Sequence, residues 1–419
     1  MIARELRNLE LRNLEWNGTA LAVLMLAAFA PEAADANGFG HKGKDKPRYY
    51  HLQSTPENTV WGGFPIDMPP ALTIQSGDTV RIDAISQSGN ANTTYSPVEY
   101  FGAFGVPPDK ILPDAMAFWE TLPTRTRFGP HICTGPLYIE GVEPGDTIEM
   151  QILDVFQRVP YGLNGTSPTG GVLGTGYPGF RAGDPPLDIP PVPPGAPAGV
   201  YPDVRNHLYW TAKVKGTDVA LFSDKIQVPL RPFFGVMAVA PPTGQFIGSA
   251  PDSPPPVTGV QPSTQPWNYL GNVDSHILRK GTTIYFPVFQ PGGQMWFGDT
   301  HSVQGDGEVS GTAIEHSLAG VFRFVVHKNT GLEWPRAEND DYYILMGMDW
   351  DLDRAMVKAT REVIKFLTEE KGLTDAKAFS LASIGIDFVA SEVVDQTQVV
   401  SGLIPKKYFI KSRAGGWKD

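Results

Sequence analysis

The sequence predicts an α+β fold, mainly β: a β-sandwich or jelly-roll-like body with C-terminal helices packed on the sheet. Three observations carry this expectation. Glycine (45) and proline (39) together make up roughly a fifth of the 419 residues, which favours many turns and few long helices. Short runs alternate apolar and polar side chains through most of the chain, the period of a strand with one buried face. Only near the C-terminus does the apolar spacing change to three and four, the period of a helix. Hydrophobic residues (41 %) and aromatics (11 %) are sufficient for a sizeable core, and 19 % charged residues argues against a coiled coil. A net charge of −11 with no Lys/Arg run argues against nucleic acid as a partner. One cysteine, Cys133, excludes an intramolecular disulfide and a cysteine-rich zinc site.

Residues 1–36 read as a signal peptide. Thr19–Ala30 is apolar but too short to span a bilayer, and Ala34-Asp35-Ala36 offers a small-x-small cleavage site before Asn37. The leading region is barely positive, because Arg4, Arg7 and Arg12 are matched by Glu5, Glu10 and Glu15. The repeat Leu6–Glu10 and Leu11–Glu15 (LRNLE twice) has an alternative reading as an amphipathic helix or as sequence ahead of the true start. Export predicts a periplasmic or secreted protein, and an uncleaved leader a cytoplasmic one. No later segment has the length and apolarity of a membrane span, so no membrane partner is expected after signal removal. Residues 37–50 form a polar, glycine-rich lead-in.

Residues 51–345 read as a β-rich catalytic domain. Thr79–Ile85, Thr147–Leu153 and Thr282–Phe289 alternate as strands, and Arg231–Ala240 is apolar enough for a buried one. The first two share an entry, Ser76-Gly77-Asp78-Thr79 and Pro144-Gly145-Asp146-Thr147: a turn with Gly at positive φ and Asp bonding the backbone beside it. Arg279-Lys280-Gly281-Thr282 is a looser third copy. The Pro/Gly-rich stretches 160–201 and 240–266 are expected to form loops without regular strands, either plain surface or a wall over a binding site. Residues 346–419 read as a helical C-terminal part packed on the same domain. Leu352, Ala355, Met356, Ala359, Val363, Phe366 and Leu367 share a helix face, with Asp349 or Asp351 as the cap and Gly372 as the stop. Thr374 and Asp375 open a second helix through Phe379 and Ala382, and Leu381–Asp395 is apolar enough to pack on the sheet.

The chemistry concentrates in Gly298–Glu315 (GDTHSVQGDGEVSGTAIE). Asp299 and His301 are two apart, so on a strand they point the same way. Asp306-Gly307 marks a tight turn, Glu308 follows it, and Glu315 ends the next strand. Upstream, Gly271-Asn272-Val273-Asp274 adds an amide and a carboxylate. One imidazole with several carboxylates suits a divalent ion such as zinc; the competing reading is that these are turn and rim residues. Cys133 with His131 two residues away is conceivable as a nucleophile and base, but a lone thiol in an apolar run is the plainer reading. Trp61, Trp119 and Trp210 read as core, and Trp296, just before the acidic run, as a pocket wall.

The run Gly298–Glu315 resembles the signature of the acetamidase/formamidase family. The resemblance extends to His131–Tyr138 with Glu143–Asp146, to Arg231–Met237, to Gly271–Asp274 and to Gly372–Asp395. It covers the chain from about His51 to Phe409. It implies a metal-dependent hydrolase of small amides, built on a β-sandwich with added helices and assembled as a homo-oligomer, a dimer or higher. Amide hydrolysis needs a nucleophile at neutral pH and help for a developing oxyanion, both within reach of a divalent cation. On that reading Asp274, Asp299 and His301 are the metal ligands. Glu315 is a further ligand or the general base, Asn272 and Gln304 donate to the substrate oxygen, and Glu308 orients His301. His131 and Trp296 line the substrate pocket. Leu270, Thr300 and Ser310 depart from the family pattern, and none of them removes a ligand. The alternative of a different class is an exported β-sandwich that binds a ligand of this kind without turning it over. A serine-based amidase fits less well, because Ser86-Gln87-Ser88-Gly89 lacks the wider pattern of that class.

Overall fold

Two large sheets follow from the alternating runs. The structure, a computed structural model, describes residues 46–167, 170–185, 187–188, 205–244 and 259–410. The leader at 1–36 and most of the 37–50 lead-in lie outside them, as do much of the two Pro/Gly-rich stretches and the end of the C-terminal part. Pro47–Asp419 forms one unit. Its larger sheet has nine strands, in spatial order Tyr49–Leu52, Thr79–Asp83, Leu318–His327, Thr147–Gln157, Thr283–Pro287, Arg336–Glu338, Tyr342–Asp349, Gln398–Pro405 and Asp387–Glu392. A six-stranded sheet is centred on Met295–His301, flanked by Phe233–Ala238 and Ile132–Ile139. Phe234 and Phe297 of this sheet meet Phe322 of the other, with ring centroids 5.2 and 5.5 Å apart. Such aromatic pairs, with the buried aliphatic residues of the same cluster, hold the two layers together.

The repeated turns form as the sequence suggests. Gly77 and Gly145 have φ of 101° and 91°. Asp78 accepts from the backbone N–H groups of Arg48 and Gln75, and Asp146 from those of Glu143 and Asn329. These are structural acids.

Several boundaries differ from expectation. Tyr49–Leu52 begins inside the lead-in and pairs in parallel with Thr79–Asp83. Tyr161–Gly165 and Val260–Pro262 are strands at the edges of the two Pro/Gly-rich stretches, pairing with Asn206–Val214 and Gly63–Pro65. The crowding of Pro and Gly follows the first of them and precedes the second, so a reading by average composition hides them. The C-terminal part is not helical alone: Asp387–Glu392 and Gln398–Pro405 extend the nine-stranded sheet. The helix Leu352–Glu369 is capped by Asp351 and Asp375–Gly385 by Thr374, and Gly372 between them has φ 69°. Ala355, Ala359, Val363, Phe366 and Leu367 are buried, whereas Leu352, Met356 and Phe379 are exposed. Pro97–Gly102 and Pro113–Thr121 are short helices that the turn-rich composition masks. The first has a capping box, Ser96 with Glu99, and this is its one legible signal. No helix among the described residues is long and apolar enough to cross a membrane.

Candidate functional site

The site is built where the Met295–His301 strand runs out. His301 ends that strand, and the chain folds back so that Glu315 bridges to it. Leu270–Asn272 is two strands away in the same sheet, beyond Phe233–Ala238, and the turn after it delivers Asp274. Asp274, Asp299 and Glu308 have φ of 38°, 44° and 44°. Non-glycine residues in this left-handed region cost on the order of 1–3 kcal/mol each, and such strain gathers at functional sites. Gly235 gives the Asp274 carboxylate its room: a Cβ there would sit 2.0 Å from Asp274 Oδ1.

His301 is the hub. Its Nε2 lies 3.2 Å from Asp299 Oδ1 and 3.2 Å from Glu315 Oε1, and its Nδ1 lies 3.5 Å from Asp274 Oδ1. The ligand atoms of Asp274, Asp299 and His301 all lie within 4.8 Å of one another. So do those of His301, Glu308 and Glu315, and those of Asp274, Glu308 and Asp395. Asp274, Asp299, His301, Glu308 and Glu315 are all buried. Asp274 Oδ1 and His301 Nε2 have no hydrogen-bond partner, although both are shut away from solvent. Orphaned buried donors and acceptors are costly, and here both belong to one acidic cluster. This set of imidazole and carboxylate groups could hold a metal ion, and its surplus of acids fits a divalent cation.

The electrostatics agree. Burial pushes the Asp274 carboxyl well above the ordinary carboxylate range, and Glu308 and Asp299 push it further. Glu308 is raised by burial and then by Asp395, and Glu315 is raised by burial. Asp395 is pushed up to about 7, again by burial first. For Asp299 burial also acts upward, but the imidazoles of His131 and His301 outweigh it and hold the carboxyl low. For His301 burial acts downward, and Glu315, Asp299 and Asp274 outweigh it and raise the imidazole well above its usual range. The raised acids record burial first and then crowding by neighbouring carboxylates, and the lowered Asp299 records the two imidazoles beside it.

The structure brings Asp274, Asp299, His301, Glu308 and Glu315 together, and it redistributes the supporting residues. Gln304 Oε1 lies 2.9 Å from His301 Nδ1, so Gln304, where Glu308 was expected, orients the ring. The Gln304 amide donates to the carbonyls of Asp274 and Ser391, so it is not free to donate to a substrate oxygen. Asn272 donates to Asp395 Oδ2 at 2.6 Å, which ties it to the back of the cluster. His131 is not an open pocket wall. Its Nδ1 is 2.9 Å from Ser263 Oγ and its Nε2 is 3.3 Å from Asp299 Oδ2, so the ring supports Asp299. Trp296 is fully buried in the core between the sheets, not at a pocket. Cys133 is also fully buried, and burial pushes its thiol up, away from reactivity.

Gln87 and Asp395 were missed. Gln87 Nε2 donates to Asp299 Oδ1 at 2.7 Å and to Glu315 Oε2 at 2.8 Å, clamping two acids with one amide. Its only sequence signal is a polar Ser-Gln-Ser-Gly turn directly after a strand. Asp395 follows the apolar run that forms the last hairpin, and nothing in its spacing points to residue 274.

The sequence profile of the Acetamidase/Formamidase family matches residues 261–411. A formamidase from Methylophilus methylotrophus is 30 % identical over 201 residues, 43 % of this chain and 47 % of that protein. A putative formamidase from Schizosaccharomyces pombe is 27 % identical over 271 residues, 58 % of each. The chain therefore spans about half the length of the curated relatives it matches. Acetamidase from Yersinia enterocolitica has a TM-score of 0.66 at 24 % identity, over 88 % of this chain and 95 % of that one. Acetamidase from Bacillus halodurans has a TM-score of 0.61 at 23 % identity, over 85 % and 98 %. These structures share the fold. The segment 261–411, which carries His301 and the acids around it, is thus similar to the acetamidase/formamidase family.

Proposed function

We propose that this protein hydrolyses small carboxamides of the formamide or acetamide kind at the cluster around His301, with a divalent cation, zinc by its donor set, held by Asp274, Asp299 and His301. The observation that carries this reading is the buried His301 ring set among carboxylates from three segments, with Asp274 Oδ1 and His301 Nε2 left without partners. Formamidase relatives and the family profile support the substrate class.

A divalent cation supplies polarisation of a carbonyl and a nucleophile at neutral pH. The chain's own residues do the rest. Glu315, made more basic by burial, takes the proton of the attacking water at a carboxylate oxygen. It returns that proton to the departing nitrogen as the C–O bond forms and the C–N bond breaks, leaving a carboxylic acid and ammonia or amine. Gln87 keeps Glu315 and Asp299 at a set separation through its two hydrogen bonds. His131, backed by Ser263, steadies Asp299 from the other side. Gln304 fixes the His301 ring, the kind of outer support that tunes a metal site. Burial of the whole set keeps bulk water away and strengthens each of these interactions.

Export through the leader and assembly into a homo-oligomer belong to this reading; the apolar stretch Thr19–Ala30 with its Ala34-Asp35-Ala36 site supports export. The deciding experiment uses protein purified without chelator or nickel resin. Near-stoichiometric divalent metal, and ammonia release from formamide or acetamide that a chelator abolishes, are expected. Turnover that survives complete metal removal, or no turnover of any amide by metal-loaded protein, sinks it.

A further inference from the structure

The turn after Leu270–Asn272 carries Asp274, and the hairpin after His301 carries Glu308. Asp274 and Glu308 both sit at positive φ. Strained positions of this kind persist only where surrounding contacts over-determine them. One guanidinium reaches both segments. Arg231 precedes the Phe233–Ala238 strand, in which Phe233 pairs with His301. Its Nη2 donates to the Gln304 carbonyl at 3.0 Å, and its Nη1 lies 3.4 Å from His276 Nε2. Gln304 belongs to the hairpin, and His276 follows Asp274 by two residues. The same His276 nitrogen lies 3.2 Å from the Asp306 carboxylate, so turn and hairpin are tied a second time.

Gln304 is the joint. Its side chain is committed to the cluster, with Oε1 at His301 Nδ1 and the amide donating to the Asp274 carbonyl. Its main-chain carbonyl is held by Arg231. A shift of that carbonyl therefore carries with it the groups that set the His301 ring and the Asp274 backbone.

We propose that Arg231 is a positioning residue of the metal centre, whose two-armed guanidinium sets the separation of the Asp274 turn and the His301 hairpin through His276 and Gln304. The inference rests on the reading of this cluster as a divalent-cation site and is independent of which substrate that site turns over. The fork matters here, beyond the charge. A guanidinium presents donors in a rigid plane, whereas a lysine ammonium is one point charge on a flexible stem. Outer supports of a metal site are worth roughly 10–100-fold in metal affinity.

The test uses the full-length protein, well below the melting temperature of each variant. Zinc affinity is read by competition with a chromophoric chelator, and ligand geometry by the visible bands of the cobalt(II)-loaded protein. Arg231→Lys and Arg231→Gln should both weaken zinc binding by roughly 10–100-fold and alter the position and intensity of the cobalt bands. His276→Ala takes the ring away from Arg231 and Asp306 together. It should move both readouts the same way, and it decides the matter if the Arg231 variants do not fold. A role confined to stability would lower the melting temperature and leave the zinc affinity and cobalt bands of folded protein unchanged; that result overturns the inference. Full retention of both by Arg231→Lys also overturns it, by assigning the effect to charge alone. A wild type that binds no divalent cation overturns it together with the metal reading. A wild type that binds the cation and shows these shifts, yet turns over no amide, supports it and removes the hydrolase reading alone.

Discussion

Asp146, at the turn before the Thr147–Gln157 strand, and Asp299, near the end of the Met295–His301 strand, are both buried carboxylates, 1 % and 3 % exposed. Asp146 accepts hydrogen bonds from Glu143 N and Asn329 N and pairs with Lys328 Nζ. Burial acts to raise its pKa, and these donors outweigh it and hold the carboxyl below its usual range. Asp349, buried at the end of the Tyr342–Asp349 strand, is likewise answered by Lys358 at 2.7 Å. Around Asp299 the balance is different. Asp274, Glu308, Glu315 and Asp395 crowd in, and what faces them is imidazoles and neutral amides such as Gln87 and Asn272. Buried charge normally persists only when it is paired. The turn acids are complete within the fold, whereas the acids around His301 form groups that could hold a metal ion.

The sharpest way to break this contrast is His301→Ala. It should abolish stoichiometric metal binding and amide turnover, a larger loss than the roughly 10²–10⁴-fold fall in kcat expected for Glu315→Gln. Metal analysis and an ammonia assay read both; retention of metal and turnover would place the hairpin acids with the turn acids. Next in size, Gly235→Ala puts a methyl group where Asp274 Oδ1 now sits, 2.0 Å from the new Cβ. Metal content should drop, with a stability loss of about 1–3 kcal/mol, seen in denaturant titration. Gln87→Leu releases the clamp on Asp299 and Glu315. A fall in kcat/KM of roughly 10–100-fold is expected with bound metal still measurable, as for other outer supports of a metal site.

Asp146→Asn tests the other side. It should cost about 1–3 kcal/mol of stability and leave turnover unchanged. Because the folded pKa lies below the unfolded one, Asp146 contributes stability above the unfolded pKa and loses it as pH falls through the folded value. The gap between wild type and variant in thermal melts should therefore close in acid. The smallest expected effect has the opposite sign. Asp274, Glu308, Glu315 and Asp395 have raised pKa values in the folded protein, Asp395 to about 7. In chelated protein they favour folding below the unfolded carboxylate pKa, and that advantage is lost as pH rises toward 7, while His131 and His316, whose pKa values burial lowers, act in the opposite sense. The melting temperature of chelated protein should fall by a few degrees from pH 5 to pH 7.5. Added divalent cation should remove the slope; an identical slope with and without cation would mean that no ion binds among these acids.

Local pattern determines a good deal of this protein. Period-two alternation marks Thr79–Asp83, Thr147–Gln157 and Thr283–Pro287 as strands, period 3.6 marks Leu352–Glu369, and the Gly-Asp turns mark two strand entries. These follow from backbone geometry and one buried face, which neighbouring residues encode by themselves. The run Gly298–Glu315 also brings Asp299, His301, Glu308 and Glu315 together, because a strand and its return segment keep near neighbours close. What only the tertiary structure decides is who meets across the sandwich. Gln87 lies 212 positions from the Asp299 it clamps, and Asn272 lies 123 from Asp395. Trp296 precedes the site in sequence and yet is buried in the core cluster. Gln304 looked like a free donor until Asp274 and Ser391 occupied its amide. Spacing along the chain carries the period of an element, but the partner of a buried polar group is chosen by how the sheets stack, and that is a property of the whole fold.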